Sequence, residues 1–130
     1  MKFHFLFLNL LTLSILLLAP LSNVTAGKYT IDNPPKVSEK YTQGMEKFRE
    51  LCSSCHGKWG NGTPQGPPLM HGFYKPSHHA DSTFYRAVLN GVQAHHWHFG
   101  DMPPVPGATQ KDVDVILPFI RWLQRENGIY

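Results

Sequence analysis

Residues 51–60 read LCSSCHGKWG and hold the only two cysteines of a 130-residue chain, three positions apart, with a histidine directly after the second. That spacing limits what can surround it. A zinc site takes four Cys or His ligands, commonly as two separated pairs, and no second cysteine pair exists here. A thioredoxin-like dithiol expects a strand before it and alternating strands and helices around it. The residues ahead of Cys52 read differently. Across SEKYTQGMEKFRELCSSCH, residues 38–56, the side chains Tyr41, Met45, Phe48 and Cys52 recur at spacings of 4, 3 and 4, the mark of one buried helix face. Ser38 is the expected N-cap. If the helix continues through the motif, Cys52, Cys55 and His56 fall at i, i+3 and i+4 and project from one face, where a single planar ligand meets all three.

C-x-x-C-H is the attachment signature of c-type haem, in which two thiols bond the porphyrin vinyl groups and the imidazole reaches the iron. A disulfide is the simpler alternative if the chain is exported, and the N-terminus bears on that. Lys2, an apolar run from Phe5 to Ala19, and small residues at Val24 and Ala26 suit a secretory signal cleaved after Ala26. The run is 15 residues and includes Asn9, Thr12 and Ser14, whereas a bilayer span needs about 20 apolar residues, so an uncleaved membrane anchor is the weaker reading. Cleavage leaves 104 residues, one domain. It removes one base and no acid from the formal +3, leaving +2, too little charge for nucleic acid to be the main partner. Residues 27–37, with Pro34 and Pro35, read as a poorly ordered extension, and residues 38–130 as the domain.

Three further patterns stand in order around this motif, and with them the chain resembles the class I monohaem cytochromes c over nearly all of residues 38–127. Gly44 and Phe48 match a glycine and an aromatic in the helix ahead of the family's haem motif; GPPL at residues 66–69 matches its Gly-Pro-x-Leu; GDMPPVPG at residues 100–107 matches its methionine loop. The resemblance implies an all-α, small cytochrome c fold whose N- and C-terminal helices cross, with loops wrapping one covalently bound haem. It implies one haem c, attached through Cys52 and Cys55 outside the cytoplasm, with His56 and Met102 as iron ligands. It implies as well that the Pro67 carbonyl accepts a hydrogen bond from His56, a contact that fixes the imidazole tautomer.

Physical chemistry supports Met102 beside the resemblance. A thioether is a soft, neutral ligand, and a Met/His pair raises the haem potential; Pro103 and Pro104 directly after it restrict the backbone. Met45 and Met70 are the rivals. Seven histidines remain after cleavage, at 56, 71, 78, 79, 95, 96 and 98. His98, four residues before Met102, offers a bis-histidine haem as an alternative, and the six histidines other than His56 offer a separate copper or zinc site as another, since imidazole suits both. Adjacent histidines on a loop point different ways and no carboxylate or thiol joins them, so positions at the haem edge or surface are the favoured reading. Trp97 is a candidate propionate donor or a packing residue.

The other elements suit a small helical fold. DSTFYRAVLNG, residues 81–91, has Asp81 or Ser82 as N-cap, an apolar face of Phe84, Ala87 and Val88, and Gly91 as C-terminal cap. A last helix starts at Thr109 with Asp112 in a capping-box arrangement, and Val113, Ile116, Leu117, Ile120 and Leu123 follow a helical period. In the resembled family an aromatic of this helix sits on the early glycine, here Phe119 or Trp122 on Gly44. Pro118 predicts a bend or a restart. The function expected is a soluble periplasmic electron carrier, a monomer that is not itself an enzyme and meets other redox proteins transiently. Lys58, Lys75 and Lys111 are candidates for its docking rim, although solvated surface charge explains each of them. Two alternatives stand beside it: a haem subunit or sensor with a displaceable methionine, and a haem protein with an additional histidine-based metal site.

Overall fold

Four α-helices carry the regular structure in the computed structural model, which describes residues 33–130: α1 Thr42–Leu51, α2 Ser53–His56, α3 Asp81–Asn90 and α4 Gln110–Glu126, with 3-10 turns at Glu39–Tyr41 and Gly72–Tyr74. The expected export signal lies outside the described residues. Among those residues the only β pairing is two isolated antiparallel bridges, Thr63 with Gly66 and Val92 with Met102. The expected all-α class holds. No described helix is long and apolar enough to cross a membrane.

The core forms where α1 lies against α4. Phe48 and Phe119 are both fully buried, with ring centroids 5.7 Å apart. Gly44 lets the two helices approach this closely: a Cβ there would collide with the Val115 carbonyl oxygen and come within 3.0 Å of Phe119 Cβ. Phe119 is therefore the aromatic that meets the glycine. Trp122 stacks on Tyr41 instead, at 5.2 Å and 22°. A second cluster of Val88, Val113 and Leu117 joins α3 to α4. Pro35 is buried and Val37 packs against the main cluster, so the chain ahead of Ser38 already touches the core.

Several local expectations change at the helix ends. Ser38 caps the 3-10 turn and makes no side-chain capping bond, while α1 begins only at Thr42. α3 is preceded by Ala80, because the Asp81 carboxylate is taken by Arg121 Nε at 2.8 Å. α4 has the capping box: Thr109 N–H donates to Asp112 Oδ2 at 2.8 Å and Asp112 N–H to Thr109 Oγ1 at 3.4 Å. The helix then runs unbroken through Pro118. Pro118 is exposed, so the carbonyl it leaves without a partner, that of Asp114, belongs to a solvent-facing turn where water can satisfy it.

Arg121 and Gln124 are the polar residues of α4's buried face, 8% and 1% exposed. The Arg121 guanidinium donates to the carbonyls of Tyr74 at 2.8 Å and His79 at 2.6 Å and to Gln124 Oε1 at 2.7 Å. Gln124 Nε2 donates to the carbonyls of Leu69 and Tyr74, both at 3.2 Å. These bonds fasten the loop of residues 69–79 to α4. Asp81 is largely exposed, so its ion pair with Arg121 adds little; the cost of removing Arg121 lies in stranded carbonyls, at about 1–3 kcal/mol each. Arg121→Leu is expected to destabilise the protein by about 3 kcal/mol, read as a lower denaturant midpoint at an unchanged slope. Asp81→Asn should cost less than about 1 kcal/mol. Equal losses in the two variants would mean that the ion pair, and not the carbonyls, carries the effect.

Candidate cofactor site

Cys52 stands at the break between α1 and α2. Its backbone leaves the helical region at φ −124° and ψ −27°, yet its carbonyl accepts from the N–H of Cys55 at 3.2 Å and of His56 at 2.9 Å. The expected i, i+3, i+4 relation survives although the helix is in two pieces. Ser53 Oγ donates to the Arg49 carbonyl at 2.6 Å, a back-bond of the kind that bends helices.

Cys52 and His56 open onto a cavity of ≈ 430 Å³, within the range of about 300–1,000 Å³ of ligand pockets. Val113, Ile116, Leu117 and Ile120 of α4 and Phe84, Ala87 and Val88 of α3 give it apolar walls, and Arg86 is the one permanently charged residue of its lining. Burial pushes the Cys52 thiol up to about 12, with Cys55 adding to the shift. Cys55 is exposed and lies outside that lining. His56 Nδ1 is 2.9 Å from the Pro67 carbonyl oxygen. A carbonyl only accepts, so Nδ1 carries the hydrogen and the Nε2 lone pair is left for a ligand. Burial lowers the His56 pKa more than the bond to Pro67 raises it, which keeps the imidazole in its neutral, ligating form.

Of the methionines among the described residues, Met102 lines this cavity, whereas Met70 is buried in the main core and Met45 packs against it. Met102 is held by its backbone. Its N–H donates to the Val92 carbonyl at 2.9 Å and its carbonyl accepts from Val92 N–H at 2.8 Å, while Val105 N–H donates to the Val88 carbonyl at 2.9 Å. Gly91 turns the chain into this ladder at φ +81°, and a Cβ there would stand 2.6 Å from the Met102 carbonyl oxygen. The Met102 loop is thus fastened to the end of α3.

A thiol, a neutral imidazole and a thioether around an apolar cavity make a donor set that fits an iron porphyrin. The family model of cytochrome c matches residues 41–124. The chain belongs to the cytochrome c family. No curated protein and no solved structure matches it. Membership makes it a haem-binding electron-transfer protein, and the family's cofactor is covalently bound haem c.

In this cytochrome c the remaining histidines divide. His98 is exposed and lines neither the main cavity nor a neighbouring one of ≈ 90 Å³. His71 Nδ1 accepts from Phe73 N–H at 3.2 Å. His79 and His95 line the main cavity, and His78, His79 and His96 come together beside it. Trp97 donates its indole N–H to the Tyr74 hydroxyl at 3.1 Å, a partner the sequence did not single out. Arg121 and Gln124 were passed over too. Their signal was present, since each lies four residues after an apolar position of α4, Leu117 and Ile120, and so on its buried stripe.

Proposed function

We propose that this cytochrome c is a soluble, monomeric periplasmic electron carrier holding one haem c through Cys52 and Cys55, with His56 and Met102 as axial ligands. The observation that carries the reading is that Cys52, His56 and Met102, from α2's turn and a loop 46 residues further on, line one apolar cavity. When bound, haem supplies a one-electron ferrous/ferric couple. His56 is oriented by Pro67 and kept neutral by burial; Met102 is fixed by the Val92 bridge. Ligands held this firmly rearrange little when charge changes, which favours fast electron exchange. A haem held by His56 and Met102 would have no iron position left for dioxygen, peroxide or a substrate, and the exposed Cys55 would hold it at the protein surface, where a redox partner could exchange electrons with it. Partners of this kind meet through small interfaces, below about 1,200 Å².

The test is a pair of absorption spectra, oxidised and reduced, of the exported protein, followed by denaturing electrophoresis with haem staining. A low-spin c-type spectrum with the weak methionine-to-ferric-iron band, and haem that stays on the denatured chain, are expected. The double variant Cys52→Ala/Cys55→Ala should lose the stain completely. High-spin iron, or rapid binding of carbon monoxide to the ferrous wild type, would replace the closed carrier with a subunit or sensor whose methionine leaves the iron. Intact mass reads the cut after Ala26 and the number of haems together.

A further inference from the structure

We propose that His78, His79 and His96 form a three-imidazole site for a divalent zinc- or copper-type ion, which clips the Met102 loop to the segment before α3. One ligating nitrogen from each ring lies within 4.8 Å of the other two. His78 Nε2 and His96 Nε2 are 3.2 Å apart. Two nitrogens of a tetrahedral zinc site, each about 2.0–2.1 Å from the metal, stand about 3.4 Å from one another. That pair is already close to ligating separation, and the third nitrogen closes the set with a shift of up to about 1.4 Å, within the rotamer freedom of partly exposed rings.

The surroundings prepare the rings as ligands. His79 Nδ1–H donates to the Phe73 carbonyl at 2.5 Å. This contact settles the tautomer and leaves the Nε2 lone pair free, as ligating histidines require. The Phe73 ring stacks on His96 at 4.5 Å and 19° and restrains its plane.

Placement gives the ion its role. His78 and His79 lie on the segment that Arg121 secures through the His79 carbonyl. His96 lies within the loop whose two ends are Val92 and Met102. A metal there ties the loop that presents Met102 to a segment already anchored on α4.

The experiment uses the exported, haem-loaded protein, cleared of metal with a chelator and titrated separately with Zn²⁺ and Cu²⁺. Calorimetry reads the binding, and elemental analysis after dialysis counts metal against iron. One saturable equivalent per chain is expected for at least one of the two ions. His78→Gln and His96→Gln should each weaken it by more than about 100-fold, beyond the loss from removing an outer-shell partner, while His98→Gln leaves it unchanged. Binding of neither ion at one equivalent, or equal binding in the His78 and wild-type proteins, overturns the site. The haem spectrum of each variant reports folding, and His78 is exposed, so His78→Gln decides the matter if His96→Gln disturbs the spectrum. Because the carrier reading is judged by that spectrum and this site by metal counts, either can fail without the other.

Discussion

Met102→Ala is expected to abolish the methionine-to-iron band, to open the ferrous protein to rapid carbon monoxide binding, and to lower the midpoint potential by more than about 0.1 V. That is a modest part of the ≈ 0.8 V range over which axial ligands set haem potentials. His79 and His95 line the same cavity, so a low-spin spectrum that lacks the band and resists carbon monoxide would mark one of them as a substitute ligand; Met70 and His98 are poorly placed. Met70 is buried in the main core with Phe48 and Trp59, and His98 is exposed on the loop and lines no part of the cavity. Met70→Ala should therefore keep the band and lose stability, by about 2–5 kcal/mol for a buried methionine. The pair of variants separates ligation from packing. A band that survives Met102→Ala and disappears in Met70→Ala would reverse the assignment, and a band absent from the wild type would bring His98 back as a ligand.

Gly44→Val should produce the largest loss of stability on the surface between α1 and α4. Replacing a helical glycine ordinarily stabilises a helix by a few tenths to about 1 kcal/mol, because glycine lowers helix propensity. Here the added Cβ meets the Val115 carbonyl oxygen and Phe119 Cβ. The first is backbone and has no rotamer to change. Overpacking costs about 1–3 kcal/mol where side chains can adjust, so a clash with backbone belongs at or above the upper end. A net loss of about 3 kcal/mol lowers the thermal midpoint by more than about 10 °C, at about 4–8 °C per kcal/mol for a domain of this size. Circular dichroism melts of the haem-loaded protein measure it. An unchanged or raised midpoint would show that α1 and α4 separate without penalty and that propensity dominates. Gln43→Ala, at the exposed position beside it, is the control and should shift the midpoint by no more than about 4 °C, as surface substitutions stay within about 0.5 kcal/mol.

Local chemistry was legible in the residues wherever one short segment held all the partners. The Thr109 and Asp112 capping box, the apolar stripe of α4 and the stop at Gly91 each depend on neighbours within a turn or two, so their pattern is written along the chain. The same is true of Cys52, Cys55 and His56, whose relation needs only one helical turn. Asp81 shows the limit. Its residue type suits an N-cap, but the cap is lost to Arg121, 40 residues away, since a charged, partly buried donor outcompetes a local backbone amide. Trp97 likewise turned to Tyr74, 23 residues distant.

By itself the sequence determined the helical class, the haem-type motif and the residues able to serve it, because periodicity, capping and ligand chemistry are properties of short stretches. Only the tertiary structure decided which methionine shares a cavity with His56, which aromatic meets Gly44, and which three of the histidines gather at one point. Those outcomes depend on where α3 and α4 bring distant loops to rest, and the Arg121 and Gln124 bonds to the carbonyls of Leu69, Tyr74 and His79 are what hold one of those loops in place.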